Sequence, residues 1–471
     1  MLLRHTTREV YNVKRAFYDR QEEMRRLERF LKTEDSGLVV VYGRRRCGKS
    51  TLLQRVLSSE HIYFQADQRE CLLQLESLAE ALARQFVDFD RPKYRNWDEL
   101  LSSLYARAVR PMCICLDEFP YLVHADPALP SILQRYIDRS DGKVAWFLCG
   151  SSQRMMHGLV VDRRAPLYGR AKEIIKVGAL SGGWLKTALS LNADEAVKAY
   201  ATWGGVPRYW ELAAEYSSQD EALEDLVWNP HGVLHEEPSR LLLDDLRSAV
   251  QPYSILYLIG TGSNRPSEIA SRMAKPLSSM ARPLSQLCEL GYIRRDVSFG
   301  QDKRKTRRAL YRLNDPFLWF FFRFVLPYES SLEQGITRDA VYTWRKERQH
   351  HFAAIWEELC RTAVPWIQDF GEPYSVASSW WQSGKNQTEI DIVAVSLDRK
   401  SILVGECKWS DRKKRFNLDA IARNLRNKAE QIPAAKGKRI FTTCWLGGQA
   451  QTTGRIDKCI RPDEVMNALT R

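Results

Sequence analysis

The chain has 471 residues, with 71 Lys+Arg against 58 Asp+Glu and a net charge of +13. That length exceeds one hydrophobic core and predicts roughly three domains, and the basic balance points to a polyanionic partner, nucleic acid first. Ten scattered cysteines without a CxxC pair, an N-terminus without an apolar leader, and no apolar run near the roughly 20 residues that span a bilayer argue against structural zinc, secretion and a membrane partner. A reducing, cytoplasmic setting is expected.

Leu38 to Tyr42 (LVVVY) is an unbroken apolar run, as a strand buried on both faces of a parallel sheet requires. Gly43-Arg44-Arg45-Arg46-Cys47-Gly48-Lys49-Ser50-Thr51 follows and fits G-x-x-x-x-G-K-[ST] at every fixed position. Thr51 to Leu57 then carries apolar residues at helical spacing. Strand, glycine loop and helix are the context a phosphate-binding loop needs. Gly43 and Gly48 let backbone N–H groups converge on phosphate oxygens, and the helix N-terminus adds partial positive charge. Lys49 reaches the β- and γ-phosphates, and the Ser50 hydroxyl, with Thr51 beside it, holds Mg²⁺. ATP and Mg²⁺ are therefore the expected cofactors.

Four further apolar runs follow: Ile62 to Phe64, Met112 to Leu116, Val144 to Cys149 and Ile174 to Val177. Helical patterns such as Leu72 to Phe89 separate most of them. The alternation predicts a doubly wound parallel α/β sheet with its chemistry at the strand C-termini. Met112 to Leu116 ends in Asp117-Glu118. An aspartate there supports Mg²⁺, and a glutamate next to it polarises the water that attacks the γ-phosphate. Ser151 and Ser152 close the next strand and suit a γ-phosphate sensor, although Gly-Ser also makes plain turns.

These residues resemble the AAA+-like division of P-loop ATPases, and within it the prokaryotic branch, abundant in archaea, that carries a C-terminal nuclease-like domain. Phe17-Tyr18-Asp19-Arg20 with Glu22-Glu23-Met24 is similar to that branch's F-x-x-R-x-x-E-L opening segment, with Met24 where leucine is usual. Gly43-Arg44-Arg45-Arg46, Pro166-Leu167-Tyr168-Gly169-Arg170 and Gly204-Gly205-Val206-Pro207-Arg208-Tyr209 resemble three more of its signatures. The resemblance places Arg20 and Arg170 with the nucleotide-binding residues. Arg170 reads equally as a trans-acting arginine finger or as the structural partner of a carboxylate. Arg44 to Arg46 read as reaching nucleotide or DNA, or as pairing with acidic neighbours.

Ser254 to Tyr311 has the arithmetic of a winged helix. Ile255 to Ile259 starts one helix, Pro266 to Ala270 opens a second with Ser267 as N-cap, and Met280 to Leu290 is a third with Gly291 at its C′ position. Tyr292 to Arg295 and Leu310 to Leu313 read as a hairpin around the basic turn Lys303, Arg304, Lys305, Arg307 and Arg308. A basic wing meets DNA phosphates, whereas many such modules only pack on protein. In the resembling branch Asp315-Pro316-Phe317 marks the exit from this module. Phe317 to Tyr328 then reads as a hydrophobic hinge or interdomain helix.

In the last part, Thr388 to Val395 and Ile402 to Trp409 read as two strands. Alternation puts Glu406 and Lys408 on one face and Cys407 on the other. Asp391 on one strand beside Glu406-x-Lys408 on the next is the PD-(D/E)XK nuclease constellation. Its carboxylates hold Mg²⁺ against the scissile phosphate, and its lysine positions water or offsets developing charge. Phe352, Ile355, Trp356, Leu359 and Cys360 form a helical stripe beside Glu357 and Glu358. Helical projection leaves both glutamates open as a further ligand, and the resemblance favours Glu357. Arg412, Lys413, Lys414 and Arg415 suit phosphate contact or a solvated face. His231 and His235 read as surface residues.

The expected fold is α/β: an AAA+-like core over 1–185, a helical lid over 186–240, a winged helix over 241–316, an aromatic hinge over 317–345 and a restriction-endonuclease-like domain over 346–471. The expected function is ATP-dependent or ATP-regulated processing of DNA. The alternatives are a nucleotide switch that binds DNA or protein without cutting, and a signalling ATPase whose last domain is an interaction surface. Homo-oligomerisation is left open.

Overall fold

A computed structural model of the chain describes residues 17–33, 36–109, 111–139, 143–163, 165–246, 250–302, 306, 308–382 and 388–470. Strands β1 (Gly37–Tyr42), β2 (Ile62–Gln65), β3 (Met112–Asp117), β4 (Val144–Gly150) and β5 (Ala171–Lys176) form one sheet in the order β2-β3-β4-β1-β5. Every pairing is parallel. Side chains alternate between faces, so Val39 and Val41 enter one core with Cys113, Cys115 and Phe147. Leu38 and Val40 enter the other with Ile114, Leu116, Trp146 and Leu148. Two apolar faces are why these strands read as unbroken runs. Because β4 lies between β1 and β3, the phosphate loop and Asp117 leave the sheet from non-neighbouring strands at one carboxyl edge, where open α/β sheets bind ligands.

The helix expected over Leu72 to Phe89 spans Cys71–Ala83. It stops there because the chain turns, with Phe86 N–H closing on the Leu82 carbonyl and Asp88 in the left-handed region at φ 64°. Helices Ala193–Trp203 and Pro207–Ala213 follow the sheet. Helices Val250–Gly260, Pro266–Arg272 and Ala281–Glu289 then precede an antiparallel pair, β6 (Ile293–Asp296) and β7 (Leu310–Leu313). Gly291 takes the left-handed turn after the third helix at φ 78°. Ser267 is not the cap of the second. Pro266 occupies the first helical position, where its missing N–H costs nothing, so the cap is Arg265, whose N–H donates to Glu268 Oε2 at 3.3 Å.

Phe317, Phe320, Phe321, Phe322 and Phe324 are all at most 1% exposed. The Phe320 ring lies 5.0 Å from Trp344 and 6.5 Å from His351, centroid to centroid. Burial of each such ring contributes about 1.5–3 kcal/mol, so this segment is a core helix and not a loose hinge. His235, expected at the surface, is also buried, with Nδ1 2.8 Å from the Val227 carbonyl, while His231 is exposed.

The 26-residue helix Arg338–Ala363 leads into β8 (Ser378–Gln382), β9 (Thr388–Val395) and β10 (Ser401–Ser410). β11 (Arg415–Asn417), helix Leu418–Ala429, β12 (Arg439–Gly448), β13 (Gln451–Thr453) and β14 (Lys458–Ile460) follow. The second sheet runs β14-β12-β10-β9-β8, antiparallel through β8–β9–β10 and parallel through β10–β12–β14. One apolar core extends from Leu27 to Leu469 across every expected boundary. Polar contacts tie the same parts together: Gly448 N–H donates to Asp194 Oδ1 at 2.7 Å, and Lys198 pairs with Asp411 at 2.9 Å.

Candidate functional site

The phosphate loop is shaped by its two glycines. Gly43 takes φ 154°, and a Cβ there would lie 2.1 Å from the Val177 carbonyl oxygen, so any other residue collides with backbone. Gly48 caps helix Lys49–Val56 at φ 87°. Lys49 is 5% exposed and donates to the Arg44 carbonyl at 3.1 Å, curled against its own loop. Thr51 is exposed. Ser50 Oγ donates to Asp117 Oδ2 at 2.6 Å, and Asp117 is fully buried. Its Oδ1 accepts from the Glu118 N–H at 2.9 Å. A buried carboxylate and a hydroxyl at one loop mouth are hard oxygen donors, the set that suits Mg²⁺.

Glu118 is held at φ 52°, which turns its side chain away from the strand direction. Its Oε2 accepts from Ser151 N–H at 3.2 Å and Ser151 Oγ at 2.9 Å. The structure therefore joins Lys49, Ser50, Asp117, Glu118 and Ser151 at one sheet edge, from three strands. Ser152 instead caps the short helix Gln153–Met156.

Of the remaining sequence candidates, Arg20 is buried under the loop, donating to the Cys47 carbonyl at 3.3 Å and to the Gly178 carbonyl. It braces loop backbone. Arg170 is committed elsewhere. It forms a two-bond pair with Asp138 at 2.7 and 2.8 Å and donates to the Pro166 and Tyr168 carbonyls. That is the structural pairing of the two readings, because the fork of the guanidinium matches a carboxylate. Arg44 pairs with Asp315, and Arg46 with Glu237 at 2.7 Å, so both turn to acidic neighbours.

The second cluster lies on β9, β10 and the long helix. The β9–β10 register ends at Gly405 opposite Ile392, and just beyond it Asp391 Oδ2 accepts from Cys407 N–H at 2.8 Å. Lys408 Nζ donates to Glu406 Oε1 at 2.6 Å. Burial, then repulsion from Glu406, pushes Asp391 up to about 6. Burial, then repulsion from Asp391, pushes Glu357 up to about 7. The carboxylates thus sense one another, and Arg361 stands 3.7 Å from Glu357. Glu358 is removed from the cluster by a fork-on-carboxylate pair with Arg294 of β6, Nη2 to Oε2 at 2.8 Å. Of the two glutamates left open by the helical wheel, Glu358 is thus the one taken up by a partner on β6. A divalent cation suits this oxygen-rich row of neighbouring carboxylates in charge. Among the described residues, however, no three carboxylate, imidazole or thiol groups converge as a metal cage.

Sequence reasoning missed Tyr63, whose hydroxyl donates to Asp117 Oδ2, and Lys428, whose Nζ is 3.8 Å from Glu406 Oε2 and 2.9 Å from the Glu389 carbonyl. Neither belongs to a motif; only strand order and helix placement bring them in. Of the expected phosphate contacts, Lys303, Arg304, Lys305 and Arg307 lie outside the described residues. Arg308, Arg412, Lys413, Lys414 and Arg415 are exposed, and Lys414 lies over the Phe416 ring at 5.4 Å.

Residues 17–212 match an ATPase domain family found predominantly in Archaea, and residues 321–419 match a family of archaeal and bacterial proteins of unknown function. An uncharacterized protein of Methanocaldococcus jannaschii is 26% identical over 427 residues, 88% of this chain and 92% of its own. The Walker-type ATPase of Pyrococcus abyssi superposes with a TM-score of 0.51 at 21% identity, over 65% of this chain and 96% of that one. Residues 17–212 therefore form a P-loop ATPase domain of a family found predominantly in Archaea. Among the described residues no helix is long and apolar enough to cross a membrane.

Proposed function

We propose that this ATPase is a DNA-processing enzyme: a cytoplasmic, Mg²⁺-dependent nuclease whose cutting is regulated by ATP. In the ATPase half, Lys49 would contact the β- and γ-phosphates, Ser50 and Asp117 would hold the cation, and Glu118 would polarise water that Ser151 helps to orient. Mg²⁺, when bound, offsets charge on the phosphates. The middle helices with the β6–β7 hairpin form a winged helix that, with Arg412 to Arg415, contacts DNA phosphates.

The observation that carries the nuclease reading is the row of carboxylates on β9, β10 and the long helix, where burial and then Glu406 push Asp391 up, burial and then Asp391 push Glu357 up, and Lys408 donates to Glu406. Such perturbed carboxylates cluster where a site is built for chemistry. Glu357, Asp391 and Glu406 would hold the metal, and Lys408 would serve the attacking water or the leaving charge.

The test incubates purified protein with plasmid or linear DNA, ATP, and Mg²⁺ or Mn²⁺, reading phosphate release and DNA length together. Cleavage that changes with ATP and disappears in Glu406→Ala, with ATP hydrolysis retained, is expected. A second reading, a nucleotide switch that binds DNA or protein without cutting, is favoured by Lys408 and Lys428 both standing against Glu406. DNA left intact under every condition while ATP is hydrolysed selects it.

A further inference from the structure

Tyr63 has no place in any motif, yet it touches the carboxylate at the centre of the nucleotide site. β2 runs beside β3 with Tyr63 opposite Cys115 and Gln65 opposite Asp117. Tyr63 therefore stands two residues below Asp117 on the neighbouring strand, on the face that Asp117 shares. A phenol leaning along its strand covers that step, and its hydroxyl donates to Asp117 Oδ2. Ser50 Oγ donates to the same oxygen at 2.6 Å. The other oxygen takes the Glu118 N–H.

We infer that Tyr63 is a positioning residue for the ATPase reaction: it sets the orientation of Asp117 for the cation that accompanies ATP. The reasoning is geometric. Ser50 can aim a lone pair at a cation only while its proton is taken by Asp117. The carboxylate torsion is soft, so which oxygen faces Ser50 must be set by another donor. Tyr63 supplies that donor on the Ser50 oxygen, and the Glu118 amide pins the other. Without the phenol hydroxyl, Asp117 stays buried and keeps the Glu118 bond but loses the second of the two bonds that fix its rotation.

The inference rests on Ser50 and Asp117 holding the cation, and a Ser50→Ala control separates the two ideas. The experiment uses the full chain with Tyr63→Phe, which preserves the ring. A fluorescent ATP analogue is titrated in EDTA and in Mg²⁺, and ATP hydrolysis is followed across Mg²⁺ concentrations. Tyr63→Phe is expected to raise the Mg²⁺ concentration at half-maximal rate about tenfold, the effect of one hydrogen bond to a charged group. Analogue affinity in EDTA is expected to stay at the wild-type value, while the gain on adding Mg²⁺ shrinks by a similar factor. Tyr63→His, which can still donate an N–H, should recover part of the Mg²⁺ response and carries the test if the phenylalanine variant does not fold. An unchanged Mg²⁺ dependence in a folded variant, or equal affinity loss with and without Mg²⁺, overturns the role of Tyr63. An unchanged Mg²⁺ dependence in Ser50→Ala overturns the cation assignment beneath it.

Discussion

Arg44 of the phosphate loop forms an ion pair with Asp315, 271 positions later in the chain. The pair is largely buried, with side-chain exposures of 15% and 9%. Asp315 also accepts from the Phe317 N–H at 2.8 Å, capping the helix that carries the aromatic core. The Arg44 carbonyl is what Lys49 donates to at 3.1 Å. One loop residue thus touches the phosphate-binding lysine through its backbone and the start of the C-terminal half through its side chain.

Asp315→Asn keeps an acceptor for the helix cap and removes the charge facing Arg44. Breaking one partner of a buried pair leaves the other uncompensated, which costs about 3–5 kcal/mol. Urea unfolding of Asp315→Asn should show a loss of that order. Arg44→Met combined with Asp315→Asn should lose less than the two single changes added together.

ATP hydrolysis should separate from binding at Glu118. Lys49→Ala is expected to abolish nucleotide binding measured by a fluorescent ATP analogue. Glu118→Gln is expected to bind normally and to hydrolyse about 100-fold more slowly, since a positioned base contributes at least that much. Unchanged hydrolysis in Glu118→Gln would place the water elsewhere.

DNA affinity should fall with salt. Removing one cation from a DNA phosphate lowers the slope of log K against log[salt] by about 0.9. Fluorescence anisotropy should show a flatter line when Lys303, Arg304, Lys305, Arg307 and Arg308 are replaced together, and again when Arg412 to Arg415 are replaced. The same slope in both variants would remove these residues from the interface.

Acid stability should depend on His351. Its ring is fully buried, Nε2 lies 2.8 Å from the Ala201 carbonyl, and burial lowers it to about 4 from 6.5, with Arg323 adding to the fall. The folded value is the lower one, so the unfolded chain binds the extra proton between those two values, and stability drops as pH falls. The loss attributable to this ring is about 2 kcal/mol by pH 5. His351→Gln, which keeps an N–H for Ala201, should flatten the fall in thermal midpoint between pH 7 and pH 5.

By itself the sequence determined what depends on short-range pattern. Gly43 to Ser50 and the apolar run ending at Asp117 specify a phosphate loop and a carboxylate at strand ends, because strand burial and glycine torsions are local properties. The alternation in β10 likewise put Glu406 and Lys408 on one face before any fold was known. Tertiary structure decided the choices that need a partner from far along the chain. Arg294 takes Glu358 and leaves Glu357 near Asp391; Asp138 takes Arg170; Asp315 and Glu237 take Arg44 and Arg46. Tyr63 reaches Asp117 only because β2 pairs with β3. A guanidinium or phenol carries no local mark of its partner, since ion pairing and hydrogen bonding act through space, and distance in space is set by strand order and helix packing.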